Sequence, residues 1–431
     1  MPSNHFSETY YQRSREVLTS ALADVAAYRD WRGLDPGEDA PVDRRYAALP
    51  ALTKQILTEY FPHGLVPRQN NVTEALKSGE IEFVETSGTT SDRITNIWNQ
   101  VWWDASEAAS WKLNVHTQRL DGRHPEAILT SALNVGFRSK ADLPFGARRL
   151  GRFLYLNEKA MTQELTDRHF ERMARELEEF RPVLLEANAS WLARLAWWAS
   201  DRGVKLAAPQ AVVYTYELPS ALHLASIRRV LPVPFISSYG STETGYVFMQ
   251  CEHGHFHQNT EYCRVDYEPL RPEHGGPDLG RILVTTFQNP WTILVRFDVG
   301  DLVRLAGPEG CPCGRKDGLV LSAIEGRLAN ATYSTAGRLI TPRQADEALA
   351  QVPGLRDYQV EQTGPEDYKL SVMPELSARG VSGPARDALA AVYGLGARIA
   401  TAEREDLLPW PSGKFRRTRL SFELEPKGLF A

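Results

Sequence analysis

The chain of 431 residues contains no Gly-x4-Gly-Lys-Ser/Thr segment, which counts against a P-loop mode of nucleotide binding. It also lacks a membrane-length apolar run. The most apolar helical stretch, Ala189 to Ser200, is too short for a bilayer and carries Arg194, so it reads as a buried or amphipathic helix. Residues Met1 to Tyr28 include Glu8, Arg13, Arg15, Glu16 and Asp24, unlike the uninterrupted apolar centre of a signal peptide; a cytoplasmic location and no membrane partner are expected. No excess of positive charge is present. The formal net charge is -5, and Arg416, Arg417 and Arg419 are too short a basic cluster to change that, so no nucleic-acid partner is expected. Four cysteines are too few for a disulfide framework in so long a chain and point to a reducing compartment.

What is present is an ordinary globular composition, 42% hydrophobic with a mean hydropathy of -0.36. That is enough for two or three packed domains. Apolar spacing predicts a helix over Glu8 to Tyr28, followed by a surface loop from Gly33 to Asp43. Amphipathic helices, Thr166 to Phe180 and Ser190 to Ser200, then alternate with the apolar runs Ala211 to Tyr216 and Val233 to Ser237. The alternation favours an α/β architecture. Strand-like runs follow at Arg281 to Phe287, Thr292 to Arg296 and Asp301 to Leu305. After Gly326 the order helix, strand, strand, helix, including Arg343 to Leu349 and Tyr368 to Met373, predicts a small α+β domain. The boundaries read as 1–328 and 329–431.

Chemistry concentrates in a series of short motifs. Glu85-Thr86-Ser87-Gly88-Thr89-Thr90-Ser91-Asp92 follows the strand-like Ile81 to Val84; its small residues let backbone N–H groups approach an anion, and its hydroxyls can donate to phosphate oxygens. Ser237-Ser238-Tyr239-Gly240-Ser241-Thr242-Glu243-Thr244-Gly245 offers an aromatic face for a base, hydroxyls for phosphate and a carboxylate for Mg2+. Arg296-Phe297-Asp298-Val299-Gly300-Asp301 reads as a turn at Gly300 that presents Asp301 to a pair of ribose hydroxyls. Glu325-Gly326-Arg327 supplies a guanidinium, and Pro411-Ser412-Gly413-Lys414 a late lysine after a flexible pair. Each segment taken alone is equally a polar turn; their order along one chain is what carries weight.

That order resembles the motif series of the adenylate-forming enzymes, over nearly the full length. Leu49-Pro50-Ala51-Leu52-Thr53-Lys54 and the Val352-Pro353-Gly354-Leu355 to Val360 segment are similar to the phenylacetate-CoA ligase branch. The resemblance implies a large N-terminal adenylation domain of several subdomains and a small mobile C-terminal domain. It implies that Ser87, Gly88, Thr89 and Thr90 enclose the ATP phosphates, with Tyr239 and Gly240 beside the adenine. Thr242 would contact a phosphate, Glu243 would bind Mg2+, Asp301 the ribose, and Arg327 the nucleotide near the hinge. Lys414 would stabilise the charge developing in adenylation, so catalysis falls to positioned donors and a metal without a protein nucleophile. The substrate is then a small carboxylic acid, aryl by resemblance, and the acceptor coenzyme A. A carrier-protein thiol or an amine remains an alternative acceptor, and a non-catalytic nucleotide-binding relative an alternative role. Ser91, Asp92-Arg93 and Asn330 depart from the family pattern, and Asn134 to Phe153 matches no part of it.

The cysteines have a separate use. Cys311-Pro312-Cys313 places two thiols at a spacing suited to one metal, and Cys251 with His257 forms a second pair across a Gly-containing turn. Four N/S ligands favour structural Zn2+, with His253, His255 and Cys263 as rival ligands. Resemblance implies the same, since relatives in this branch can carry such a site.

Overall fold

The computed structural model describes residues 5–85, 94–136, 139–408, 415–422 and 428–431. The chain forms two compact units. The first comprises Met1–Leu120, Ser238–Pro269 and Asp278–Ala323; the second comprises Asp121–Ser237, Leu270–Pro277 and Ile324–Ala431. Among the described residues no helix is long and apolar enough to cross a membrane.

The first unit opens on the helix Glu8–Asp24, where the Ser7 hydroxyl caps the Tyr10 N–H at 3.2 Å. It ends earlier than its spacing predicts because Val25 is extended, and a 3-10 segment, Ala26–Gly33, continues instead. The sheet of this unit is antiparallel. Cys263–Pro269, Leu279–Thr286 and Phe297–Leu305 lie side by side, and Phe256–Gln258 and Gly245–Gln250 pair toward the end of Phe235–Ser241. The predicted strand Thr292–Arg296 does not form. Arg296 sits at φ 52°, which no strand residue adopts, and the regular strand begins one residue later.

The expected turn at Gly300 is also replaced. Phe297–Leu305 is one strand, and its register against Leu279–Thr286 shifts between Leu283↔Asp298 and Arg281↔Leu302. Four positions on one strand therefore span two on the other, and Gly300 at φ 82° absorbs the excess as a bulge. Bulges re-aim side chains, and Asp301 is the residue that follows.

In the second unit the predicted alternation is present. Phe153–Tyr155, Glu126–Leu129, Leu184–Ala187, Ala211–Tyr214 and the start of Phe235–Ser241 form a parallel sheet. Helices Asp167–Phe180, Ala189–Arg202 and Ala221–Val230 connect its strands. Ala189–Arg202 is the apolar helix of the sequence: Trp191, Leu192, Leu195 and Ala196 are wholly buried with Met173, Leu177 and Leu185, which accounts for its composition without a membrane. The run Ala211 to Tyr216 stops at Tyr214 because Tyr216 takes φ 72°. Within the same unit a second sheet, in the order Arg398–Glu403, Asp367–Pro374, Leu355–Gln362 and Thr418–Leu420, carries the helices Pro342–Leu349 and Ser382–Tyr393.

Arg148, in the stretch that matched no motif, is 0% exposed. It donates to the Leu143 and Tyr155 carbonyls and to the Glu176 carboxylate, a bracing role for one of that stretch's basic residues.

Candidate functional site

The segment that carries Tyr239, Gly240, Thr242 and Glu243 is a β-hairpin. Phe235–Ser241 does not end before the motif, as its apolar run predicts, but continues through Tyr239 and Gly240 and pairs Ser241 with Gly245. Thr242 and Glu243 form the tip between the two strands. The Ser241 and Thr244 hydroxyls lie 3.0 Å apart across it, and the Thr244 N–H donates to the Ser241 carbonyl at 3.1 Å. Glycine is required at position 240, where a Cβ would come within 2.1 Å of the Gly245 carbonyl oxygen. Gly245, at φ 66°, lies so close to Trp102 and Ser106 of the helix Gln100–Trp111 that a Cβ would meet them at 2.8 and 2.9 Å. The hairpin tip is held from behind, since the Tyr246 N–H donates to the Ser106 hydroxyl at 3.1 Å and the Tyr246 hydroxyl donates to Glu107 at 2.7 Å.

The bulge at Gly300 brings the second element to this hairpin. The Tyr239 hydroxyl donates to the Asp301 carboxylate at 2.8 Å, joining motifs separated by about sixty residues. Both side chains remain partly exposed. One carboxylate oxygen of Asp301 is thus oriented by the protein, and an aromatic ring stands beside it. Glu243 is 8% exposed and has no cationic side chain paired with it among the described residues, so its carboxylate suits a metal ion. Arg327 ends the strand Val320–Arg327 in the second unit, next to Gly326 at φ 100°. Glu325, two residues before it, accepts the Thr341 hydroxyl at 2.6 Å. Ser87, Gly88, Thr89, Thr90 and Lys414 lie outside the described residues. The segment with the first four joins the paired strands Glu82–Glu85 and Thr95–Trp98.

The sulfur and imidazole donors converge within the first unit. The ligand atoms of Cys251, His257, Cys311 and Cys313 all lie within 4.8 Å of one another, and none of the cysteines is in a disulfide. Cys251 Sγ is 3.5 Å from Cys311 Sγ, and Cys313 Sγ is 3.2 Å from His257 Nε2. Zn–S bonds of about 2.3 Å in a tetrahedron set ligand separations of roughly 3.8 Å, so a small inward or outward adjustment accommodates the ion. Backbone N–H groups point at the thiols: His253 N–H at Cys251 and Arg315 N–H at Cys313, with Gly254 at φ 85° and Gly314 at φ 79° shaping both turns. Burial, with the nearby Arg315 and His255 charges, lowers His257 to about 4, keeping the ring neutral as a ligand must be. Burial raises Cys313, but the Arg315 N–H, the Cys311 thiol and the Arg315 charge outweigh it and leave this thiol below its usual value. Burial and its cysteine neighbours push Cys311 up to about 12. The rival Cys263 is 0% exposed and donates to backbone carbonyls of Asn259 and Val247; it, His253 and His255 fall outside the group.

Sequence reasoning missed a buried polar cluster in the second unit. Arg417, read only as part of a short basic cluster, is 9% exposed and lies among His223, Asp357 and Asp346. The alternation Phe415-x-Arg417-x-Arg419 was the available signal, since alternate residues of an extended chain share a face. Tyr214 stacks on Phe235 in the core, and Tyr216 donates its hydroxyl to Glu186.

The fold is similar to that of several solved ligases. A 2-hydroxyisobutyryl-CoA ligase in the postadenylation state, bound to 2-HIB-AMP, superposes with a TM-score of 0.72 at 16% identity, covering 98% of this chain and 90% of that one. The same ligase in its thioesterification state, with 2-HIB-AMP and CoA, scores 0.55 at 17% identity over 96% and 89%. An amide bond synthetase from Marinactinospora thermotolerans scores 0.52 at 15% identity over 95% and 92%. By sequence, no family model matches the chain and no curated protein matches it.

Proposed function

We propose that this chain uses ATP to convert a small carboxylic acid into an acyl-adenylate and then passes the acyl group to coenzyme A. The observation that carries the reading is the Tyr239–Asp301 pair beside a hairpin tip bearing Thr242 and Glu243. Asp301 accepts from ribose hydroxyls, Tyr239 flanks adenine beside Gly240, and Thr242 donates to a phosphate. Glu243 would hold Mg2+, which when bound would offset phosphate charge. Ser87, Gly88, Thr89 and Thr90 enclose the triphosphate, Arg327 contacts the nucleotide, and Lys414 neutralises charge gathering on the α-phosphate. The acid's carboxylate oxygen attacks the α-phosphorus, a mixed anhydride forms, and pyrophosphate leaves. The coenzyme A thiol then attacks the acyl carbon and AMP leaves.

The domains of this reading are 1–328 for ATP and acid and 329–431 for the segment with Lys414. Cys251, His257, Cys311 and Cys313 hold one structural Zn2+, whose thiolate ligands fit a reducing, cytoplasmic setting. The amide bond synthetase among the neighbours favours one second reading, transfer to an amine.

Mass analysis of products tests the choice. Protein, ATP and Mg2+ are incubated with a panel of aryl and aliphatic acids, then with coenzyme A or an amine. Acyl-AMP followed by acyl-CoA is expected; an amide in place of the thioester selects the second reading, and no acyl-AMP with any acid contradicts both.

A further inference from the structure

The buried cluster around Arg417 joins parts of the second unit that are far apart in sequence. His223, on the helix Ala221–Val230, is 0% exposed. Its Nε2 lies 2.9 Å from Asp357, and its Nδ1 2.8 Å from Arg417 Nη2. A guanidinium can only donate, so Nδ1 accepts and Nε2–H donates to Asp357; the two contacts define a neutral ring in one tautomer. Arg417 also donates to the Leu218 carbonyl at 3.3 Å and lies 3.9 Å from Asp357 and 4.0 Å from Asp346. Asp346 in turn accepts the Ser220 hydroxyl and the Ala221 N–H, both at 2.7 Å, and the Tyr358 hydroxyl at 2.9 Å. Backbone pairing continues the connection, with the Val360 N–H donating to the Arg417 carbonyl at 2.7 Å.

The chain around Arg417 is fastened by packing as well. Leu407 and Phe415 are buried in the same apolar cluster as Trp191 and Trp197, and Arg194 binds Asp406 at 2.7 Å and the Leu407 carbonyl at 2.8 Å. These attachments flank the Ser412-Gly413-Lys414 motif on both sides in sequence, and Arg417 follows Lys414 by three positions.

We infer that Arg417, clamped by His223, Asp357 and Asp346, is a positioning residue for adenylation, fixing the chain that carries Lys414 during the first half-reaction. The inference rests on the proposed function. It assigns these residues no contact with substrate. Because Lys414 acts on charge at the α-phosphate, the clamp matters for adenylation and not for attack of a thiol on an acyl-adenylate already made.

The test compares the half-reactions in Arg417→Met and in Arg417→Met/Asp357→Asn, which removes both charges where the single variant folds poorly. Pyrophosphate exchange kcat is expected to fall about ten- to hundredfold with KM for ATP within about twofold, since misplacement by about an ångström has effects of that size. Thioester formation from supplied acyl-adenylate should stay within about twofold of wild type. Equal loss in both half-reactions, or no loss in either, overturns the inference. Wild-type protein silent toward every acid sinks the proposed function instead, and amide hydrogen exchange then judges the clamp. Faster exchange at Val360 and 415–420 in the variants supports it, and unchanged exchange overturns it.

Discussion

The cysteine cluster and the Arg417 cluster each collect polar side chains from distant parts of the sequence, but they satisfy them differently. Around Arg417 the charged groups face one another: Asp357 meets His223, Asp346 meets Ser220 and Tyr358, and the guanidinium lies among carboxylates. In the cysteine cluster, the ligand atoms of Cys251, His257, Cys311 and Cys313 lie within 4.8 Å of one another. The first arrangement holds chain to chain; the second groups four atoms of the kind that could hold a metal ion. Buried polar groups need partners, and the identity of the partner separates scaffold from binding site.

The largest effect that separates them is metal removal. Purified protein is expected to contain about one equivalent of zinc by elemental analysis, and Cys313→Ser or strong chelation should lower Tm by more than about 10 °C, because binding free energy at such a site is folding free energy. A chelator should leave the Arg417 cluster's hydrogen-exchange protection intact. Metal-free protein with an unchanged Tm would remove the contrast.

Asp357→Ala comes next. It leaves Arg417 and His223 buried beside a lost anion, and a destabilisation of about 3–5 kcal/mol by urea unfolding is expected. Zinc content should not change.

Acid should break the clusters in sequence. His257 is lowered in the folded state to about 4, so between its unfolded value near 6.5 and that point the unfolded chain binds the proton and the folded site loses stability and metal as pH falls. Burial works to raise Asp357, but His223 and Arg417 hold it below the usual carboxylate value. Its contribution is therefore full above about 4 and is lost only as pH falls further. A chromophoric chelator should report zinc release at milder acidity than the loss of near-UV circular dichroism. Simultaneous loss would mean that the clusters are not independent.

The smallest effects concern the proposed nucleotide site. Asp301→Ala should raise KM for ATP roughly ten- to hundredfold, the range for hydrogen bonds to a charged group, whereas Tyr239→Phe removes one hydroxyl and should change it less than about tenfold. Equal effects would mean that Tyr239 contributes through its hydroxyl alone.

The α/β alternation, the helices about Asp167–Phe180 and Ala189–Arg202 and the C-terminal helix-strand-strand-helix order were legible because their apolar spacing is local. What escaped was set by single backbone angles and by distant partners. Thr292 to Arg296 has strand composition, yet Arg296 at φ 52° excludes a strand there. Gly300 reads as a turn but serves as a bulge, because the facing strand runs on past it. Asp301 and Tyr239 were each legible as polar positions, but their 2.8 Å contact follows from that bulge and from the hairpin, neither of which spacing reveals. Arg417 was legible only as part of a short basic cluster; its acidic partners, Asp346 of Pro342–Leu349 and Asp357 of Leu355–Gln362, are distant in sequence.

Acid-dependent exchange of labelled pyrophosphate into ATP, run with wild type and Asp301→Ala over aryl and aliphatic acids, tests the central claim most directly. Exchange that requires an acid, is robust in wild type and is weakened in Asp301→Ala chiefly through KM for ATP is the predicted result. ATP binding without exchange for any acid, or exchange indifferent to Asp301, would contradict it.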